Sequence, residues 1–150
     1  MTEDEAFRKY VDELMRFATV LVGPSHAEDV VVEGFLRAFR APGWPEVENH
    51  RAYLYRVVLN VARSRARGDL RRRRREAGVA AGEAAWDPIV DFDVLAAVDR
   101  LSVMQRAVVM LTYWEDLDGE AVGRRLGVSQ GTVKRHLHRA KARLKEYLDD

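Results

Sequence analysis

The sequence predicts an all-α protein: two small helical domains joined by a flexible linker. Apolar residues recur at helical spacing wherever a pattern exists, no stretch alternates apolar and polar residues as a strand does, and residues 76–91 are rich in Gly and Ala and carry Pro88. The domains are therefore expected at 1–75 and 92–150, with 76–91 as the linker. Within 150 residues each domain has only a modest core.

Each element has its own signal. From Glu5 to Val22, apolar residues fall at Phe7, Val11, Leu14, Met15, Ala18 and Leu21, an amphipathic helix that Gly23-Pro24 stops. Ser25 is placed to cap a second helix over 26–40, with Val30, Val31, Phe35, Ala38 and Phe39 on one side. The stretch 41–50, with two prolines and a glycine, is a loop. A third helix over 51–75 is apolar at Tyr53, Leu54, Val57, Val58 and Val61, with Gly68-Asp69 marking a bend or an end. Beyond the linker four helices are expected, over 92–101, 103–115, 118–126 and 129–148, and there is no internal repeat.

A net charge of +1 conceals strong segregation: −5 over residues 1–50, +8 over 51–76, −7 over 77–120 and +5 over 121–150. Concentrated cations suit nucleic-acid phosphates, and acidic patches repel DNA and suit a basic protein partner. With no cysteine, disulfides, thiolate catalysis and Cys-type zinc sites are excluded. Of the four histidines only His136 and His138 are neighbours, and two positions apart on a helix they do not share a face, so neither a metal nor a cofactor is expected. The acidic N-terminal stretch and the lack of a long apolar run predict no membrane insertion and a cytoplasmic protein.

Three constellations carry chemistry. In the first, Gly127-Val128-Ser129 reads as a tight turn between two helices, with Ser129 as the N-cap of the second and Val133, Leu137, Ala140 and Leu144 as its buried stripe. Ser129, Gln130, Thr132, Lys134, Arg135, His138 and Arg139 are then left outward, a row of amides, hydroxyls and cations suited to base edges and phosphates of duplex DNA. The second runs from Arg63 to Glu76, eight arginines against two acids, and includes Arg67. It continues a helix bearing Tyr53, Tyr55 and Asn60, after a loop bearing Trp44; aromatic and amide groups beside a cationic track suit unstacked single-stranded bases, and Tyr53 and Trp44 suit a core place equally well. In the third, Glu28, Asp29 and Glu33 sit together on a helix with Phe35 and Arg37. As catalytic carboxylates they would need a cleft and a partner base, so a helix-docking surface or a simply solvated face is the better reading and no enzyme is expected.

Together these stretches resemble the extracytoplasmic-function group of bacterial RNA polymerase sigma factors. FRKYVDELMRFATVLVG and AEDVVVEGFLRAFR resemble the first part of region two, RAYLYRVVLNVARSRARGDLRRRRRE its promoter-reading helix, and residues 101–144 resemble region four. The resemblance implies that the helix bearing Glu28, Asp29, Glu33, Phe35 and Arg37 grips core RNA polymerase. It implies that the 41–50 loop and the helix bearing Asn60 and Arg63 melt and read the minus-ten element, while residues 130–139 read the minus-thirty-five element as duplex. Promoter DNA and an anti-sigma factor are the further partners expected, and the two domains are expected to move independently. The chain departs from the family where a glutamine is usual at Val32, a small non-glycine residue at Gly34 and a proline at Ser102. The family's TVKSRLSRAR is replaced by a run containing Arg135, His136 and His138.

A two-component-type transcription regulator shares the TVKRHL motif, yet it needs a βαβ receiver, and residues 1–75 show no strand pattern. A helical mimic that binds polymerase without reading DNA has no use for the basic face of the last helix.

Overall fold

The computed structural model describes residues 1–75 and 96–149, and no strand occurs among them. The helices are α1 (Glu3–Val22), α2 (Pro24–Arg40), α3 (His50–Arg75), α4 (Val103–Tyr113), α5 (Gly119–Leu126) and α6 (Gln130–Asp149), with a 3-10 turn over Trp44–Glu46. Of the helix expected over 92–101, residues 96–98 form one helical turn and 99–101 a non-helical turn; residues 92–95, and the whole 76–91 linker, lie outside the described residues.

Helix starts follow local chemistry. Thr2 and Glu5 form a capping box on α1, and Ser102 and Gln105 form another on α4, each side chain closing the other's backbone N–H. The Asp118 carboxylate accepts from the Ala121 N–H at 2.8 Å, and Asn49 Oδ1 accepts from the Ala52 N–H at 3.0 Å at the start of α3. Ser25 does not cap α2: the helix begins earlier, with Pro24 in its first turn after Gly23 at φ 85°. Gly68 neither bends nor ends α3, which continues to Arg75.

The first domain packs α1, α2 and α3 around Leu14, Phe17, Leu21, Val30, Leu54 and Val58. The buried stripe of α1 runs Ala6, Tyr10, Leu14, Phe17, Ala18, Leu21, which keeps Leu14, Ala18 and Leu21 of the expected face and puts Ala6, Tyr10 and Phe17 in place of Phe7, Val11 and Met15. Phe7 is 43% exposed, because the heptad passes through Tyr10 and Ala6, which a ranking by apolarity places below it.

Where the sequence predicts domains that move independently, the structure packs the two together. One buried cluster runs through both halves and takes in Met104, Ala107, Val108, Leu111, Val122 and Leu126 from the second domain. Two arginines stitch the seam by capping helix ends across it. Arg106 of α4 donates to the Leu21 carbonyl in the last turn of α1 at 2.6 Å, and Arg56 of α3 donates to the Arg124 carbonyl in the last turn of α5 at 3.2 Å. Last-turn carbonyls lack partners within their own helix, so each domain satisfies a deficit of the other. The Arg125 guanidinium, 4.9 Å from the Tyr55 ring centroid, adds a cation–π contact.

Candidate nucleic-acid interface

Helices α5 and α6 form a helix-turn-helix, and two glycines permit its tight geometry. Gly127 adopts the left-handed conformation at φ 73°, and both its N–H and that of Val128 donate to the Gly123 carbonyl, at 2.8 and 2.9 Å. At Gly123 a Cβ would stand 2.6 Å from the Val128 carbonyl oxygen, so the turn lies directly on α5. Ser129 then caps α6, its Oγ accepting from the Thr132 N–H at 3.1 Å. Val133 and Ala140 are buried and Leu137 and Leu144 partly so, the stripe the sequence predicts.

Seating that stripe turns the opposite face outward. Ser129, Gln130, Lys134, Arg135, His138 and Arg139 are exposed, and Thr132 is half-buried. Lys134, Arg135, His138 and Arg139 border one shallow concavity floored by Gly131, with no carboxylate among them. Arg135 donates to the Thr132 hydroxyl at 3.0 Å, which orients its guanidinium while leaving other N–H groups for a ligand.

On α3, Arg56, Asn60, Arg63 and Arg67 are exposed, and their spacing puts them on one side of the helix. The row runs along the domain seam: Arg56 is held by α5, and Arg63 and Arg67 line a crevice against α4 and α6. One of the expected single-strand contacts is corrected, and a second is partly covered. Trp44 is 3% exposed, walled in by the rings of Phe39, His50 and Tyr53 at centroid distances of 5.1, 4.6 and 6.0 Å, so it braces the loop and presents no face to a base. Tyr53 is half-buried against that same core.

The expected protein-docking helix also divides. Glu28, Asp29 and Arg37 are exposed, but Phe35 is 3% exposed and belongs to the core. Glu33 is half-buried and engaged within the chain, by Arg65 at 2.9 Å and Arg37 at 2.6 Å. The hydrogen bond from Arg65, chief among the contacts, holds the Glu33 carboxyl below its ordinary 4.5 against the opposing effect of burial. Sequence reasoning missed Val32 and Leu36, 46% and 47% exposed beside Glu28 and Asp29. Their signal was available: each stands one turn from the next polar residue of the exposed face, off the Val30-Val31-Phe35-Ala38 stripe.

A two-domain helical protein with a basic helix-turn-helix and an arginine-lined seam has the architecture of a DNA-binding protein. Residues 6–76 match the sigma-70 region 2 family and residues 91–144 the sigma-70 region 4 family. The RNA polymerase sigma-E factor of Streptomyces coelicolor is 35% identical, over 99% of this chain and 89% of the relative. The ECF RNA polymerase sigma factor SigE of Mycolicibacterium smegmatis is 31% identical over 97% of this chain, which spans 61% of that relative's length. Among solved structures, the sigma factor RpoE of Bartonella quintana, in complex with the anti-sigma factor NepR, matches with a TM-score of 0.76 at 26% identity, covering 97% of this chain and 96% of that one. The chain belongs to the extracytoplasmic-function group of the sigma-70 family of RNA polymerase sigma factors. No described helix is long and apolar enough to cross a membrane.

Proposed function

We propose a division of labour for promoter recognition within this chain. Helix α6 enters the major groove of the minus-thirty-five element, with Gln130 and Arg135 at base edges and Lys134 and Arg139 on phosphates. Asn60, Arg63 and Arg67 of α3 take the separated strand of the minus-ten element, with cations on its backbone and the Asn60 amide toward a base. Val32 and Leu36, framed by Glu28 and Asp29, form the polymerase-docking face, an apolar pair in an acidic rim that suits a basic helical partner. The chain works as a binding factor in the cytoplasm with no catalysis of its own, and an anti-sigma factor is its natural restraint, as in the Bartonella complex.

The exposed basic row of α6, set by the Gly123-Gly127 turn, carries this reading. The closed seam adds a requirement. Elements about 25 base pairs apart lie about 85 Å apart along duplex DNA, at about 3.4 Å per step. A compact chain of this size has a radius of gyration of about 15 Å. The domains must therefore part before both elements are read together.

Run-off transcription with purified core polymerase tests the proposal. The chain should confer initiation at a promoter it selects, and variants at Lys134 and Arg139 should lose it. Core polymerase that initiates no better with the chain than without it would overturn the reading.

A further inference from the structure

His136 stands between the outward row of α6 and its buried stripe, and it faces the seam. Its ring is half-buried, and Nδ1 is fully buried with no hydrogen-bond partner among the described residues. The crevice it closes is walled by Arg63 and Arg67 of α3, and by Ser102, Val103 and Met104 at the start of α4. Among the described residues every charged group facing it is a guanidinium, Arg63 and Arg67 from α3 and Arg135 and Arg139 from its own helix, and no carboxylate lines the crevice.

We propose that His136 is an acid-sensitive latch, neutral when the two domains are closed on each other and protonated as they part. This rests on the promoter-reading assignment for its consequence, since opening is what allows both elements to be read. A neutral imidazole places one unsatisfied acceptor in the crevice. An imidazolium would place a buried N–H without an acceptor and a fifth positive charge among four arginines. Burial first, then Arg139, Arg63 and Arg135, push the closed-state imidazole below its ordinary 6.5.

The sign follows from linkage. A base depressed in the closed form and ordinary in the open one supports closure above pH 6.5 and withdraws that support as the pH falls below it. At one unit below the ordinary value the open-to-closed ratio rises by up to about elevenfold. Phosphates favour the imidazolium, so promoter DNA and acid push the same way.

The chain has no cysteine, so Glu3→Cys with Lys145→Cys, both at exposed positions in different domains, accepts a fluorescence transfer pair in the full-length protein. At constant ionic strength, transfer should fall between pH 7.5 and 5.5. His136→Gln should keep it high throughout, and His136→Arg should lower it even at pH 7.5. His138→Gln, altered at an exposed site, should titrate like wild type. A wild type that is flat with pH, or a His136→Gln variant that opens like it, would overturn the latch. If the variants misfold, magnetic resonance titration of the wild-type imidazole decides: a value below 6.5 supports the latch and one at or above it defeats it. No polymerase or promoter is present, so failure here is separate from failure of the transcription assay.

Discussion

Removing the Arg106 guanidinium should weaken the whole molecule and not one domain. This side chain, 16% exposed, donates to three carbonyls: Leu21 at 2.6 Å, Val98 at 3.1 Å and Asp99 at 3.0 Å. Arg106→Met keeps the apolar stem and deletes all three bonds. Hydrogen bonds to a charged group contribute about 1.5–3 kcal/mol each. Against that stands the cost of burying the cation, which pushes the guanidinium pKa below its ordinary value and is of order several kcal/mol. The deletion relieves this burial cost but leaves carbonyls dry, for a net loss of about 3 kcal/mol. For a chain of this size that is about 6–12 °C in Tm. Scanning calorimetry is the assay. Because the Leu21 bond crosses the seam, the variant's calorimetric enthalpy should also exceed its van't Hoff enthalpy, the mark of domains melting apart. A Tm within 2 °C of wild type with one cooperative transition would refute the seam as a stabilising interface.

Three further outcomes are expected. Arg135→Ala should relax specificity at one or two upstream base pairs by about 1–3 kcal/mol, whereas Lys134→Ala should weaken all promoters alike and lower the salt slope; equal losses on matched and mismatched promoters would contradict the division. Val32→Ser with Leu36→Ser should leave stability within about 0.5 kcal/mol per site and lower polymerase affinity at least tenfold, read by fluorescence anisotropy; unchanged affinity would remove these residues from the docking face. Glu33, held below 4.5, supports the first domain above that pH and ceases to do so as the pH falls through its depressed value. Acid unfolding of Glu33→Gln should accordingly be flatter across that window, and a profile parallel to wild type would dismiss the Arg65 pair.

Much of this was legible in the sequence. The helix spacing, the capping residue Ser129 and the Gly127 turn all act within a few residues, where local rules hold. Trp44 and Phe35 were misplaced because an aromatic residue near charges reads alike whether it braces a loop or meets a ligand. Closure of the domains escaped because a pattern shows which face is apolar but not what covers it. The signal lay in α4. Met104, Gln105, Ala107, Val108, Val109, Met110 and Leu111 are all buried, and a helix apolar nearly all round requires neighbours on more than one side. A single small domain does not supply them.

The shared cluster also bears on how a cell stores such a chain. Parting the domains strips water-averse side chains such as Leu21, Met104 and Val108 of their cover. Apolar patches laid bare in this way invite association with other chains. Closure hides these side chains, and any surface that coats them favours the open form. At neutral pH a pool of free protein therefore closes again when a partner lets go, so the supply of partner helps to set how much of the pool is open.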